Sequence, residues 1–184
     1  MILARAKFLF LSILTLFFSG KKNNDEIPAY ETYVNQLINS FAKEIKKEFG
    51  LICIGDGGQM PYDVEAVSIK FAAYCYPSIE KARELEVKIT ERFINAINSN
   101  EKIRPYLREY PFKADRAEVA ISFYTKDNSR YTDGSVSYVF QVKNKIYYCS
   151  KNPHTKNLDD LYEEPYEEAL KIVQSSQKST KTNL

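Results

Sequence analysis

The sequence predicts an α+β fold: an antiparallel sheet of four or five strands with two or three helices packed on one face. Two observations carry this expectation. Two long segments repeat apolar residues at helical spacing, and three shorter ones alternate along the chain with the period of a half-buried strand. Strands joined by short loops pair antiparallel, and amphipathic helices must then cover one face of the sheet.

Taken in order, Tyr33 to Glu48 reads as the first helix. Tyr30, Val34, Leu37, Ile38, Phe41, Ile45 and Phe49 form its stripe, and Gly50 supplies the stop. Leu51 to Ile54 is a short apolar strand, which Gly55-Asp56-Gly57-Gly58 is expected to break. Val67, Ile69, Phe71, Ala73 and Cys75 alternate with polar or small neighbours as a second strand. Ser78 then caps a long helix whose inner stripe is Ala82, Leu85, Ile89, Phe93, Ala96 and Ile97, ending at Asn98-Ser99-Asn100. A short helical turn is expected over Ile103 to Leu107. Three strands follow, over Val119 to Tyr124, Val136 to Val142 and Ile146 to Cys149, the last two joined by a hairpin at Lys143-Asn144-Lys145. A final helix starts near Pro165, with Tyr166, Ala169, Leu170 and Val173 on its apolar face. One α+β domain is thus expected over 30–174, with a disordered Ser-, Gln-, Lys- and Thr-rich tail over 175–184.

The first twenty residues differ from the rest. Arg5 and Lys7 precede an apolar run from Phe8 to Phe18 of about 11 residues, where a spanning helix needs about 20. Ser19 and Gly20 are small, and the chain then turns polar. Residues 1–20 therefore read as a signal peptide or membrane tether and 21–29 as a linker. Export to the periplasm, outer envelope or medium is expected, with membrane attachment only through an uncleaved leader. Lys21 stands where a lipoprotein would carry its acylated cysteine.

The leader also changes the charge balance. Of 26 basic residues two are Arg5 and Lys7, and the remainder equal the 24 acidic ones, so the formal +2 belongs to the leader. A neutral domain lacks the basic excess with which proteins displace counterions from phosphates, so no nucleic-acid partner is expected.

Few residue constellations carry chemistry. There is one histidine, His154, in a polar loop, and no nucleophile motif accompanies it. Asp159, Asp160, Glu163, Glu164, Glu167 and Glu168 cluster near the last helix, where acids complement the helix dipole; they lack the ligand order of a calcium loop. The glycine-rich segment at 55–58 lacks the Lys-Ser/Thr of a phosphate-binding loop and reads as a connection. No metal or cofactor is expected. Cys53, Cys75 and Cys149 are the three cysteines; Cys75 and Cys149, each at a strand end, are the favoured pair if an export compartment oxidises one, and three small buried hydrophobes are the alternative. Tyrosine is abundant, and Tyr124, Tyr131, Tyr138 and Tyr147 lie in or beside the strand-rich segment, where exposure would make a recognition surface. One of Tyr147 and Tyr148 must face outward.

The block Asn100-Glu101-Lys102-Ile103-Arg104-Pro105-Tyr106-Leu107, followed by Tyr110-Pro111-Phe112, resembles a segment of uncharacterised exported, lipoprotein-like proteins of host-associated bacteria. The resemblance runs from Gly55-Asp56-Gly57-Gly58-Gln59-Met60-Pro61-Tyr62-Asp63 through Tyr166-Glu167-Glu168-Ala169-Leu170. It implies export and a shared fold, and since no activity is assigned to that family it implies no catalytic residue. The expectation is an exported or envelope-associated binding protein with a protein or envelope partner and no catalysis. The alternatives are a secreted hydrolase using carboxylates or a cysteine thiolate, and a host-directed effector.

Overall fold

The computed structural model describes residues 27–182. The expected leader, and the expected linker up to residue 26, lie outside the described residues. The fold is α+β, with the element order α1 (Ala29–Phe49), β1 (Ile52–Gln59), β2 (Ala66–Ala73), α2 (Ile79–Ser99), β3 (Ala117–Phe123), β4 (Tyr138–Val142), β5 (Lys145–Lys151), β6 (Leu158–Pro165) and α3 (Tyr166–Thr182). The strands form one six-stranded sheet in sequence order, β1 to β6.

Four of the five strand pairings are antiparallel, but β2 and β3 are parallel. The sheet is therefore mixed and has six strands, where a purely antiparallel sheet of four or five was expected. The parallel pair follows from the chain between its strands. A hairpin reverses direction, whereas a crossover through a helix returns the chain to the same end. Ser78 starts that helix by accepting a hydrogen bond from Lys81 N–H at 3.2 Å.

The core lies between this sheet and the helices. Val67, Ile69, Phe71 and Ala73 of β2 and Ala117, Val119, Ile121 and Phe123 of β3 are buried in one phase. They join Phe41 of α1, Phe93 of α2 and Val173 of α3 in one cluster. Phe41 meets Phe93 at a ring-centroid distance of 5.0 Å. Burying each Ile or Phe side chain contributes roughly 1.5–3 kcal/mol. Ile103 and Phe112 close one end of this core, both 1% exposed, while Tyr106 and Tyr110 stay outside. Asn98 at the end of α2 secures that plug: its amide donates to Phe112 O at 2.9 Å and its carbonyl accepts from Phe112 N–H at 2.8 Å.

A second fastening is ionic. Arg83 of α2 donates to Glu164 of β6 at 2.7 Å, with side chains 12% and 2% exposed, and Tyr148 of β5 donates its hydroxyl to the same carboxylate oxygen. Burial and the Glu164 carboxylate together push the Tyr148 phenol far above its ordinary pKa. Glu164 therefore belongs to a strand and to the interior, and does not serve as a dipole-compensating acid of the last helix.

The two sheet edges differ from expectation in opposite ways. β6 was not foreseen, because Leu158 to Pro165 has no apolar alternation; its residues are exposed except Glu164, and it is held by backbone pairing to β5. Asp159, Asp160 and Glu163 line this edge, a composition that blunts pairing with further strands. At the other edge, Gly55-Asp56-Gly57-Gly58 does not break β1 but runs inside it, opposite Lys70 to Val67. The irregularity is a bulge between Cys53 and Gly55. Glycine at 58 is required by close approach, since a Cβ there would lie 2.6 Å from the Ala66 carbonyl oxygen. Ile52 and Ile54 of this strand are exposed. The last helix runs on through Ser175 to Thr182, so the tail expected to be disordered is helical up to that residue.

Two consequences are measurable by chemical denaturation. Gly58→Ala is expected to cost on the order of 1–3 kcal/mol by overpacking against backbone, while Gly55→Ala, with nothing within 4 Å of its Cβ, stays near wild type. Equal effects would remove close approach as the reason for Gly58. Arg83→Leu is expected to cost roughly 3–5 kcal/mol, because it leaves the Glu164 carboxylate buried without its partner.

Candidate functional site

The helices cover one sheet face. The opposite face can be read row by row from the register. One row runs Gly55, Lys70, Ala120, Phe140, Tyr147 and Glu163 across β1 to β6. The row beside it runs Ile52, Ala72, Ser122, Tyr138, Cys149 and Asp160. The connection between β3 and β4 folds back over this second row, with Arg130 donating to the Ser122 hydroxyl at 3.3 Å, and Ala72 and Ser122 are buried. The first row remains accessible.

Three aromatic rings form a ladder on this face. Tyr138 stacks on Phe140 at 5.3 Å, and Phe140 stacks on Tyr147 at 5.0 Å with an interplanar angle of 15°. Strand geometry accounts for both contacts: Tyr138 and Phe140 are two residues apart on β4, and Phe140 sits directly opposite Tyr147 on β5. Beside the ladder Gly55 and Ala120 leave space, and a trough of about 470 Å³ is lined by Ser68, Lys70, Glu118, Ala120, Tyr138 and Phe140, among others.

Cations sit on these rings. The Lys70 ammonium lies 4.9 Å from the Tyr138 centroid, and the Arg130 guanidinium lies 5.8 Å from Tyr138 and 5.5 Å from Tyr124. Lys145 lies 5.7 Å from the Tyr147 centroid and pairs with Glu163 at 2.5 Å. Burial raises the Tyr138 phenol pKa, while Arg130 opposes the rise.

Of the four tyrosines singled out in the sequence, Tyr138 and Tyr147 lie in the ladder and Tyr124 joins it through Arg130. Tyr131 does not: it packs edge-on against Tyr76 at 5.1 Å and leans on the core. Tyr147 faces outward while Tyr148 is fully buried. Phe140, Lys70 and Arg130 were not singled out. The alternation in β4 shows that Tyr138, Phe140 and Val142 share a face but not which face is inside; the helix-facing set is Val139 and Gln141. An isolated lysine inside a strand, such as Lys70, is the residue-level sign that its face is wet.

The remaining candidates are scattered. All three cysteines are free. Cys75 is exposed beyond the end of β2, and Cys149 is buried on β5. β3 and β4 stand between them, about 14 Å of sheet at 4.7–4.9 Å per strand, too far for the favoured disulfide. Burial, together with the Asp160 carboxylate that accepts its S–H, pushes the Cys149 thiol up to about 12. His154 is exposed in the loop between β5 and β6, at the opposite edge of the sheet from Cys53. Among the described residues no cluster of three or more His, Cys, Asp or Glu side chains has metal-binding geometry, and no helix is long and apolar enough to cross a membrane.

Directly beneath the ladder, on the helix-facing side, lies an unusual acid. Glu86 of α2 is fully buried; the Gln141 backbone N–H approaches its carboxylate, but neither oxygen completes a hydrogen bond. Burial pushes its pKa well above the ordinary range, against an opposing contribution from the Gln141 backbone N–H.

Fold and face together define a one-sided α+β sheet protein whose free face carries stacked aromatic rings and charges of both signs. Comparison with protein-family models, curated proteins and solved structures finds no match.

The Glu86 environment makes a pH-dependent difference. The unfolded chain releases this proton near pH 4.3 and the folded chain retains it to higher pH. The native state then binds more protons than the unfolded state above that pH, so stability falls as pH rises. Glu86→Gln is expected to be near neutral at pH 4 and to gain progressively on wild type toward pH 7. Urea unfolding at both pH values checks this; a gain that is constant with pH would show that Glu86 does not titrate on folding.

Proposed function

We propose that this chain is a small exported or envelope-associated binding protein whose ligand seats on the uncovered face of the sheet, with no catalysis. The observation that carries the reading is the Tyr138–Phe140–Tyr147 ladder, three half-buried rings stacked in register on a face that no helix covers. Stacked rings present a rigid, flat, amphipathic surface whose conformational entropy is already spent before binding. The neutral charge of the chain after the leader supports a partner other than nucleic acid. The leader and the resemblance to exported proteins support the location.

Two experiments test the proposal. The purified full chain is applied to glycan and peptide arrays, and every hit is measured again with Tyr138→Ala, Phe140→Ala and, as control, Ile172→Ala on the exposed side of α3. Affinity is expected to fall at least about tenfold in the two face variants and to stay unchanged in the control. Hits retained by the face variants, or no hit on either array, overturn the binding reading. Fractionation of expressing cells is expected to place the chain in the envelope or medium; full retention in the cytoplasm overturns the export reading.

A further inference from the structure

The two outermost strands differ in how they treat an approaching chain. An edge strand offers unpaired N–H and C=O groups to any strand that reaches it, and lysine, proline or inward charges are what keep strands away. β6 is guarded by Asp159, Asp160 and Glu163. β1 is not: Ile52 to Gln59 holds no lysine and no proline, and Asp56 is its single charge. Nothing pairs with its outer side among the described residues, and Ile52 and Ile54 are 40% and 47% exposed on it. β1 also lacks a base with which to answer the acids of β6, so β6 of another copy is a poor match for it. The strand best matched to β1 is β1 itself.

The helix layer is spaced for the same joint. α2 lies over β3 and β4, α3 over β5 and β6, and α1 over β1 with Phe41 reaching Phe71 of β2. Each helix thus covers two strands, which sets the α1 axis about half a strand spacing inside the sheet edge. Antiparallel pairing of two β1 strands then puts two α1 axes roughly two strand spacings apart, about 9–10 Å, the separation of packed helices. The flank of α1 turned to α2 is marked by Glu44 and Glu48, which both pair with Arg92. The other flank carries Glu31, Asn35, Ala42 and Lys46 at helical spacing, short side chains in the middle and opposite charges at the two ends. Neither Glu31 nor Lys46 makes an ion pair among the described residues. Two such flanks laid antiparallel bring the acid of each toward the base of the other.

We infer that β1 pairs antiparallel with β1 of a second copy of this chain, about a two-fold axis perpendicular to the sheet, and that the two α1 helices pack together above the joint. The same patch serves both partners, as a two-fold interface requires. An axis through Gly55 sets Asp56 of each copy opposite Ile54 of the other, so like charges do not meet, and Ile52 falls opposite Gly58, which has no side chain to obstruct it. Backbone pairing supplies direction, while the isoleucines and the helix flanks supply the apolar contact that a lone pair of strands lacks. The result is one sheet of twice the width, with all helices on one side and both aromatic ladders on the other. The inference goes beyond the ligand reading and does not depend on it.

Sedimentation velocity of the purified full chain, from about 1 to 500 μM, is expected to show a monomer–dimer equilibrium with a Kd in the micromolar range. Ile54→Lys, which places a charge on the edge, is expected to weaken the dimer at least about tenfold while melting like wild type, and Leu161→Lys on β6 is expected to leave it unchanged. Glu31→Lys is expected to weaken it about fivefold, and adding Lys46→Glu to restore it. Hydrogen exchange gives a readout without substitution: amides of β1 become slower to exchange as concentration rises, and those of β6 do not. A chain that stays monomeric at the highest concentration overturns the inference. Association that survives Ile54→Lys, as association through the apolar leader would, overturns it as well. Loss of the dimer in Leu161→Lys, or protection that appears in β6, moves the joint to the other edge and also overturns it.

Discussion

Burial of one stripe of α2 constrains the rest of the molecule. Ala82, Leu85, Ile89, Phe93 and Ile97 line a helix that must cross from the end of β2 to the start of β3 and lie against both. Crossing through a helix makes those two strands parallel neighbours at the centre of the sheet, and every later strand adds outward from β3 by reversal. α1 and α3 then pack beside α2 because the apolar surface is there. The opposite face is left to whatever side chains the same strands project in the alternate phase.

That division of labour decides which charges are structural. The Arg83–Glu164 pair with the Tyr148 hydroxyl ties the last strand back to the central helix, and Arg108 ties the β1–β2 connection, through Asp63 and Glu65, to the segment after α2. Their energies differ in kind. The first is buried, so losing one member strands the other; the second is exposed to water and contributes little to stability. Lys70 and Arg130 belong to neither group, since each rests on aromatic rings.

Much of the architecture was legible in the sequence, for identifiable reasons. The stripes of α1 and α2, the stop at Gly50 and the cap at Ser78 are local signals, and local signals survive into the fold. β6 was invisible because an edge strand can be built from acids and held by backbone alone. β1 was cut short because glycine usually ends strands, whereas here Gly58 admits a neighbouring carbonyl. The candidate site was half legible. Tyr138 and Tyr147 stand out by type, but Phe140 resembles any core aromatic, and Lys70 and Arg130 acquire meaning only through the register and the returning loop. Which side of an alternating strand is dry is set by distant helices, and no local pattern encodes it.

The unequal edges of the sheet have a consequence for self-association. Addition of strands from one molecule to the next propagates only when each molecule offers two receptive edges. Here β6 presents acids along its rim, which repel an identical rim, while β1 presents isoleucine and glycine. Two copies meeting through β1 would use up both receptive edges and bury them. Growth ends there, so the asymmetry acts as a chain terminator against fibre formation even though one flank of the sheet is left unguarded.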